Sequence, residues 1–168
     1  MPESLRIEAA RPHDAPVLIE LVRELARFEK LEHLVESTEA QLRSELAAEP
    51  PVIEALIARR GARPVGFAMY FHNFSTFLGR RGLYLEDLYV VPEVRGQGVG
   101  RALISHLAGI AARRACGRFE WSVLDWNSRA IDFYRSIGAE VLADWRICRV
   151  TGPALARLAG SGAIDGAQ

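Results

Sequence analysis

The stretch from Val90 to Arg101 carries the strongest chemical signature in this sequence. Three alternate glycines stand between two arginines, in the order Arg95, Gly96, Gly98, Gly100 and Arg101. Glycines let the backbone approach a bulky group, and the start of a helix presents N–H donors with a partial positive charge. The stretch therefore predicts a site for an anion such as a diphosphate. A glycine-rich turn that serves only tight strand-to-helix packing is the alternative.

The spacing of these glycines excludes two common phosphate-binding motifs. A nucleoside-triphosphate loop needs Gly-Lys-Ser/Thr, which this stretch lacks. A dinucleotide fingerprint needs Gly-x-Gly-x-x-Gly, and Arg101 stands where its third glycine belongs. The anion site is therefore of another kind.

Two adjacent acids, Glu86 and Asp87, lie inside the strand predicted just before the glycine-rich stretch. Neighbouring residues in a strand point to opposite faces, so only one acid faces a given cleft unless a bulge reorients the strand. Burying both would be costly. One acid is therefore expected to do chemistry there, as a proton acceptor or a holder of a cation. The alternative is that one faces solvent and the other pairs with an arginine.

The elements that position these residues follow from hydrophobic periodicity and turn residues. The order is β-α-α-β-β-β-α-β-α-β, which predicts a mixed sheet flanked by helices. The predicted strands begin at Leu5 and then cover residues 52–58, 65–71, 83–91 and 119–124, with one or two more over 141–150. One predicted helix follows a cap at Asp14. The others cover residues 38–47, about 103–111, and 128–137, and Gly138 stops the last of them.

Composition places limits on the class of protein. The 168 residues suit one domain, and 21 basic residues against 21 acidic residues argue against nucleic acid as a partner. No apolar run reaches membrane-helix length, and the N-terminus lacks a signal-peptide core. Only two cysteines occur, and the four histidines show no metal-ligand spacing. We therefore expect a cytoplasmic protein without a metal and without a membrane partner.

The motif Arg-Gly-x-Gly-x-Gly after the fourth strand resembles the acetyl-coenzyme-A diphosphate motif of the GNAT N-acetyltransferases. Further segments resemble their diamine (spermidine/spermine) branch: residues 24–29, 65–70, 83–88 and 126–134. The resemblance covers almost the whole chain. It implies an α/β (α+β) GNAT fold with a mixed, mostly antiparallel central sheet, a single domain over residues 1–160, and a flexible tail over 161–168.

The resemblance also implies acetyl-CoA as co-substrate and the residues that bind it. These are Leu88, Tyr89, Val90, Arg95, Gly96, Gln97, Gly98, Val99, Gly100, Arg101, Asn127, Ala130 and Phe133. Asn127 is either a helix cap or a coenzyme contact, and the two roles are compatible.

Catalytic roles are implied by the same resemblance. A free alkyl amine has a pKa of ~10.4, so a group must take its proton near neutral pH. Glu86 matches the water-linked base, and Tyr134 matches the tyrosine that protonates the coenzyme sulfur. Without the family match, Tyr134 would be interpreted as a core residue with a satisfied hydroxyl.

The amine pocket is implied to contain Phe28, Glu29, Glu86, Asp87 and Trp145. Phe28 stands where the branch often has Tyr, and only Val141–Asp144 precede Trp145, where the branch has a longer acidic run. Glu29 on an acidic surface helix is the alternative reading.

The expected function is therefore acetyl transfer to the primary amine of a small polyamine-like or lysine-like cation, directly in a ternary complex. The alternatives are a protein or peptide N-acetyltransferase and a non-catalytic acyl-CoA-binding module. The resemblance also suggests a homodimer.

Overall fold

The computed structural model describes residues 4–161, and within them five strands and five α-helices. The strands are β1 (Leu5–Ala9), β2 (Glu54–Arg60), β3 (Arg63–Ser75), β4 (Arg80–Val90) and β5 (Phe119–Trp121). The helices are α1 (Ala15–Glu29), α2 (Glu39–Ala47), α3 (Val99–Arg113), α4 (Ser128–Ser136) and α5 (Gly152–Ser161). Short 3-10 turns cover Pro12–Asp14, Glu32–Leu34 and Pro92–Val94.

The chain forms two compact units that divide between Leu124 and Asp125. The first unit holds β1–β5 and α1–α3, and the second holds α4 and α5. The expectation of one domain over residues 1–160 stays a prediction. Of the predicted tail over 161–168, Ser161 ends α5, and residues 162–168 lie outside the described part of the chain.

The sheet of the first unit has the strand order β1-β2-β3-β4-β5. The first three pairs are antiparallel, and β4 pairs with β5 in parallel. The predicted mixed, mostly antiparallel sheet with flanking helices is thereby confirmed. Phe67, Leu56 and Leu85 are buried at its centre.

Helices α1 and α3 cover opposite faces of this sheet. Phe67 on β3 and its partner Tyr89 on β4 share the face of α1, where Arg95 contacts both Tyr89 and Phe28. Tyr70, three residues further along β3, therefore lies on the other face. There its hydroxyl donates to Glu54, which also binds Arg114 at the end of α3.

Several predicted elements match closely. The helix predicted over residues 38–47 is α2, and Thr38 caps it by accepting a hydrogen bond from the Gln41 N–H at 3.3 Å. Helix α4 ends before Gly138, whose φ of 92° lies in the left-handed region that favours glycine.

The predicted strands after Gly138 are wrong. Residues 141–150 contain no strand, and β5 stops at Trp121 instead of reaching Leu124. Alternating apolar residues form a strand only with a hydrogen-bonding partner, and no such partner for residues 141–150 is present among residues 4–161. Helix α5 was not predicted.

Candidate active site

The glycine-rich loop has the geometry of an anion cradle. Gly96 and Gly98 have φ angles of 78° and 84°, which side chains with a Cβ rarely adopt. A Cβ built on either residue would meet nothing within 4 Å among the described atoms, so space is open beside the loop. Helix α3 begins at Val99, directly after Gly98, and its first-turn N–H groups have no partner within the helix. The loop therefore fits a diphosphate, with Gly100 and Arg101 in that first turn.

Side-chain hydrogen bonds hold this loop in its conformation. The Arg95 Nε donates to the Val90 carbonyl oxygen at 2.8 Å and ties the loop to the end of β4. Gln97 accepts a hydrogen bond from Arg60 at 2.6 Å and donates one to the Glu93 carbonyl at 3.1 Å. Of the residues predicted to bind the coenzyme, Arg95 and Gln97 therefore also hold the loop in shape.

A β-bulge in β4 falls on Glu86. Tyr70 of β3 pairs with Leu85 and Met69 pairs with Asp87, so Glu86 is an extra residue without an opposite partner. The bulge changes the alternation: Asp87 and Tyr89 share the face of α1, while Leu85 lies on the other face. Glu86 is exposed and Asp87 is partly buried. The two acids are therefore held in different environments at an irregular point of the strand.

One edge of β4 is open beyond the bulge. Strand β5 pairs with β4 only from Leu83 to Leu85. On that side, the backbone from Leu88 to Val90 has no strand partner within the described residues. Its N–H and C=O groups are therefore free of strand partners on that side, and the binding of a ligand chain by Leu88, Tyr89 and Val90 stays a prediction.

Three acids interact around Asp87. Burial, together with the smaller effects of the negative charges of Glu86 and Glu29, raises the pKa of Asp87 to about 6. Burial also raises the pKa of Glu29, the last residue of α1. Glu29, Glu86 and Asp87, which we call the acid cluster, therefore lie near enough to influence one another's charge. A cation bound among them would relieve their mutual repulsion.

Phe28 and Tyr89 enclose a cation beside the acid cluster. The Arg95 guanidinium carbon lies 4.6 Å from the Phe28 ring centroid and 5.4 Å from that of Tyr89. Phe28 precedes Glu29 on α1, and Tyr89 follows Asp87 by two residues on the same face of β4. The aromatic residues therefore lie between the glycine-rich loop and the acids.

The second unit carries the predicted residues of α4. The Asn127 side chain accepts a hydrogen bond from the Ala130 N–H at 3.2 Å, so the predicted cap is confirmed. Tyr134 is buried, and its ring centroid lies 5.3 Å from that of Phe133. Trp145 is 79% exposed in the irregular segment that follows.

An open cavity of about 440 Å³ lies next to the glycine-rich loop on the face of α1. Sequence reasoning identified its residues Phe28, Tyr89 and Arg95 but missed Glu24, Arg27 and Arg63. The positions of Glu24 and Phe28, four residues apart on α1, were a usable signal, because residues at that spacing share one helix face. Arg63 comes from the start of β3, and no local pattern marks it.

Residues 4–161 contain neither a metal-binding cluster nor a membrane-spanning helix. They contain no group of three or more His, Cys, Asp or Glu side chains placed to hold a metal ion. Within the same residues, no helix is both long enough and apolar enough to cross a bilayer.

Residues 18–139 match the family model described as "Acetyltransferase (GNAT) family". The chain is 39% identical over 168 residues to the thialysine N-epsilon-acetyltransferase of Mus musculus, covering 94% of this chain and 98% of the relative. It is 32% identical to the human (Homo sapiens) spermidine/spermine N(1)-acetyltransferase-like protein 1, covering 86% of this chain and 22% of that protein.

Solved structures include a similar chain, an integron cassette protein from the mobile metagenome of V. cholerae. The two superpose with a TM-score of 0.78 at 29% identity, over 93% of this chain and 98% of the other.

Proposed function

Because this chain belongs to the GNAT family of acetyltransferases, we propose that it transfers an acetyl group from acetyl-CoA to the primary amine of a small cation, either polyamine-like or lysine-like. The family resemblance drawn from the sequence, including that to the diamine branch, is confirmed. One observation carries the proposal: a single strand, β4, leads from the bulged acid pair through an open backbone edge into the glycine-rich loop.

The residues around the loop would hold acetyl-CoA, whose thioester supplies the acetyl group. The N–H groups at the start of α3 and the backbone of Gly96 and Gly98 suit its diphosphate. The open edge from Leu88 to Val90 suits its extended pantetheine arm. The predicted contacts from Asn127, Ala130 and Phe133 remain part of the proposal.

The acid cluster would bind and orient the amine. Glu29 and Asp87 attract an alkylammonium group, and Phe28 offers an aromatic surface to it. Trp145 is proposed as a further aromatic contact. Glu86, which is exposed at the bulge, would take the proton of the attacking amine through water.

The transfer step is a direct one. The bound alkylammonium group first gives one proton through water to Glu86, which releases it to solvent. The neutral amine nitrogen then forms a bond to the carbonyl carbon, the carbon–sulfur bond breaks, and the nitrogen loses its second proton through the same water, which matches the proton that Tyr134 gives up and regains. The Tyr134 hydroxyl gives one proton to the leaving sulfur, since a phenol with pKa ~10 is protonated at neutral pH.

Turnover by hydroxyl-deletion variants tests this assignment. Thiol release from acetyl-CoA would be followed with putrescine, spermidine, lysine and a histone-like peptide. We expect Tyr134→Phe to lower kcat by about 10²- to 10⁴-fold. Tyr84→Phe, which removes a hydroxyl that binds Ser122 at 2.8 Å, is the matched control and should stay within about twofold.

A second variant tests the loop. Gly98→Glu places a side chain and a negative charge where the diphosphate is proposed to lie, so it should abolish turnover. Wild-type turnover in both Tyr134→Phe and Gly98→Glu would overturn the assignment. Turnover of the peptide without turnover of the free amines would replace it by a peptide acetyltransferase.

We further propose a homodimer in the cytoplasm, with neither nucleic acid nor membrane as partner. Large apolar side chains are exposed in the second unit: Val141, Leu142, Trp145, Ile147, Val150, Leu155 and Leu158. A second copy that covers them would remove this apolar surface from water. Sedimentation analysis should give twice the mass of 18.6 kDa, and Ile147→Glu should shift the protein toward the monomer. A monomer at micromolar concentration would contradict the dimer.

A further inference from the structure

The cavity of about 440 Å³ on the face of α1 has a charge pattern that the proposed reaction does not use. Its ionised side chains are three arginines and two glutamates: Glu24, Arg27, Arg63, Glu93 and Arg95. The excess of positive charge is unexpected in a site for a cationic amine. We call this feature the Arg95 cavity.

Arg95 is the cation of this cavity that lacks a carboxylate partner. Arg63 lies 3.5 Å from Glu93, and Arg27 lies 3.5 Å from Glu32. Among residues 4–161, no carboxylate oxygen lies within 4.0 Å of the Arg95 guanidinium, whose Nε is held by the Val90 carbonyl. A planar guanidinium held over two aromatic rings is prearranged to bind a carboxylate through two parallel hydrogen bonds.

A negative charge stands close to Arg95 in the same cavity. Glu24 lies one turn before Phe28 on α1 and lines the cavity with Tyr89 and Arg95. Burial and the charge of Glu24 raise the pKa of the Tyr89 hydroxyl, which places Glu24 near the end of that side chain. The cavity therefore offers one cation and one anion beside the same tyrosine, which complements a zwitterion.

The spacing of Asp87 and Tyr89 along β4 suits a lysine-like chain. Asp87 and Tyr89 lie on the same face of β4, two residues apart, which corresponds to about 7 Å along the strand. The side-chain nitrogen of an extended lysine lies roughly 7 Å from its α-carboxylate, from bond lengths of ~1.5 Å. Phe28 and Tyr89 would line the aliphatic part between the two ends.

We propose that the Arg95 cavity binds the α-amino-acid head of a lysine-like substrate, with Arg95 on the α-carboxylate and Glu24 on the α-ammonium group. This inference rests on the proposed function, because the side-chain amine then reaches the acid cluster. A diamine of the same length would place a second cation against the arginines. The site therefore selects amino acids over diamines.

Three matched acceptors test the inference on the wild-type protein with acetyl-CoA. Lysine carries both head groups, 6-aminohexanoate lacks the α-amine, and 1,5-diaminopentane lacks the carboxylate. We expect kcat/KM to be about 10- to 100-fold higher for lysine than for 1,5-diaminopentane, with 6-aminohexanoate between them. Equal or better use of 1,5-diaminopentane overturns this inference alone. No turnover with any of the three overturns the proposed function, and the inference with it.

Charge-neutralising variants then test which residue binds the α-carboxylate and which binds the α-ammonium group. Arg95→Gln should lower the ratio of kcat/KM for lysine to that for 1,5-diaminopentane by about tenfold, and Glu24→Gln should lower the ratio for lysine to 6-aminohexanoate. Arg113→Gln removes one exposed charge at the far end of α3, and it should leave both ratios within about twofold.

The KM for acetyl-CoA shows whether Arg95 binds the amino-acid substrate or the coenzyme. A raised KM for acetyl-CoA in Arg95→Gln with an unchanged amine ratio would show that Arg95 binds phosphate, and it would overturn the inference. If Arg95→Gln does not fold, the comparison of the three acceptors on the wild-type protein still decides, because equal or better use of 1,5-diaminopentane there overturns the inference.

Discussion

The charge on Asp87 should lower the stability of this protein at neutral pH. Its pKa rises from the ordinary 3.8 to about 6, chiefly because the group is buried and then because Glu86 and Glu29 are negative. The folded protein therefore holds this proton more tightly than the unfolded chain. Both states are protonated well below pH 3.8, and stability falls as the pH rises from there through about 6. At about 1.4 kcal/mol per tenfold change in affinity, the upper limit of this loss is about 3 kcal/mol.

The substitution Asp87→Asn removes the negative charge of this side chain and keeps its size and shape. Since the side chain is only partly buried, we expect a gain of about 1–3 kcal/mol at pH 7.5, or about 3–10 °C in Tm. At pH 4, where Asp87 of the folded wild type is already protonated, most of this gain should vanish. Thermal unfolding followed by circular dichroism at both pH values measures the difference.

Asp132→Asn is the matched control, because that side chain is 77% exposed and should show no such dependence on pH. Equal or lower stability of Asp87→Asn at pH 7.5 would refute the reasoning, since the carboxylate would then be well solvated or well paired. The same variant should lose at least about tenfold in kcat/KM, because the charge is proposed to hold the amine.

Three further changes have defined outcomes. Glu29→Gln removes a negative charge near Asp87 and should lower the Asp87 pKa in a carbon-13 NMR titration; an unchanged value would contradict the acid cluster. The methyl group added by Gly98→Ala meets no atom within 4 Å, but the residue must keep a φ of 84°, so the free energy of unfolding in urea should fall by about 1 kcal/mol. Gly160→Ala is the control, because Gly160 also lies in open space but within α5, and its substitution should cause no such loss. Thr38→Ala removes the cap of α2 and should cost about 1 kcal/mol in the same assay, and no loss would show that the cap is redundant.

The glycine-rich loop could be predicted from the sequence because its requirements are local. A left-handed φ at Gly96 and Gly98 is a property of single residues, and the helix that starts at Val99 follows from its own apolar spacing. The cap at Asn127 and the end of α4 before Gly138 were predictable for the same reason.

The strand over residues 141–150 shows where local patterns fail. Val141, Ile147 and Val150 favour a strand, but side-chain preference does not supply the neighbouring chain that a strand must bind. The bulge at Glu86 is similar, because it results from the pairing of β4 with β3 and not from either strand alone.

The sequence by itself determined the family, the anion loop and the residue types of the acid cluster, because these depend on single residues and short spacings. Only the tertiary structure decided that Glu86 is the bulged residue and that the charge of Glu29 acts on Asp87. Only the structure likewise showed that Arg95 lies between Phe28 and Tyr89 beside Glu24. The pKa of a carboxyl and the partner of a guanidinium depend on groups that are distant in sequence and meet only when β4 and α1 pack together.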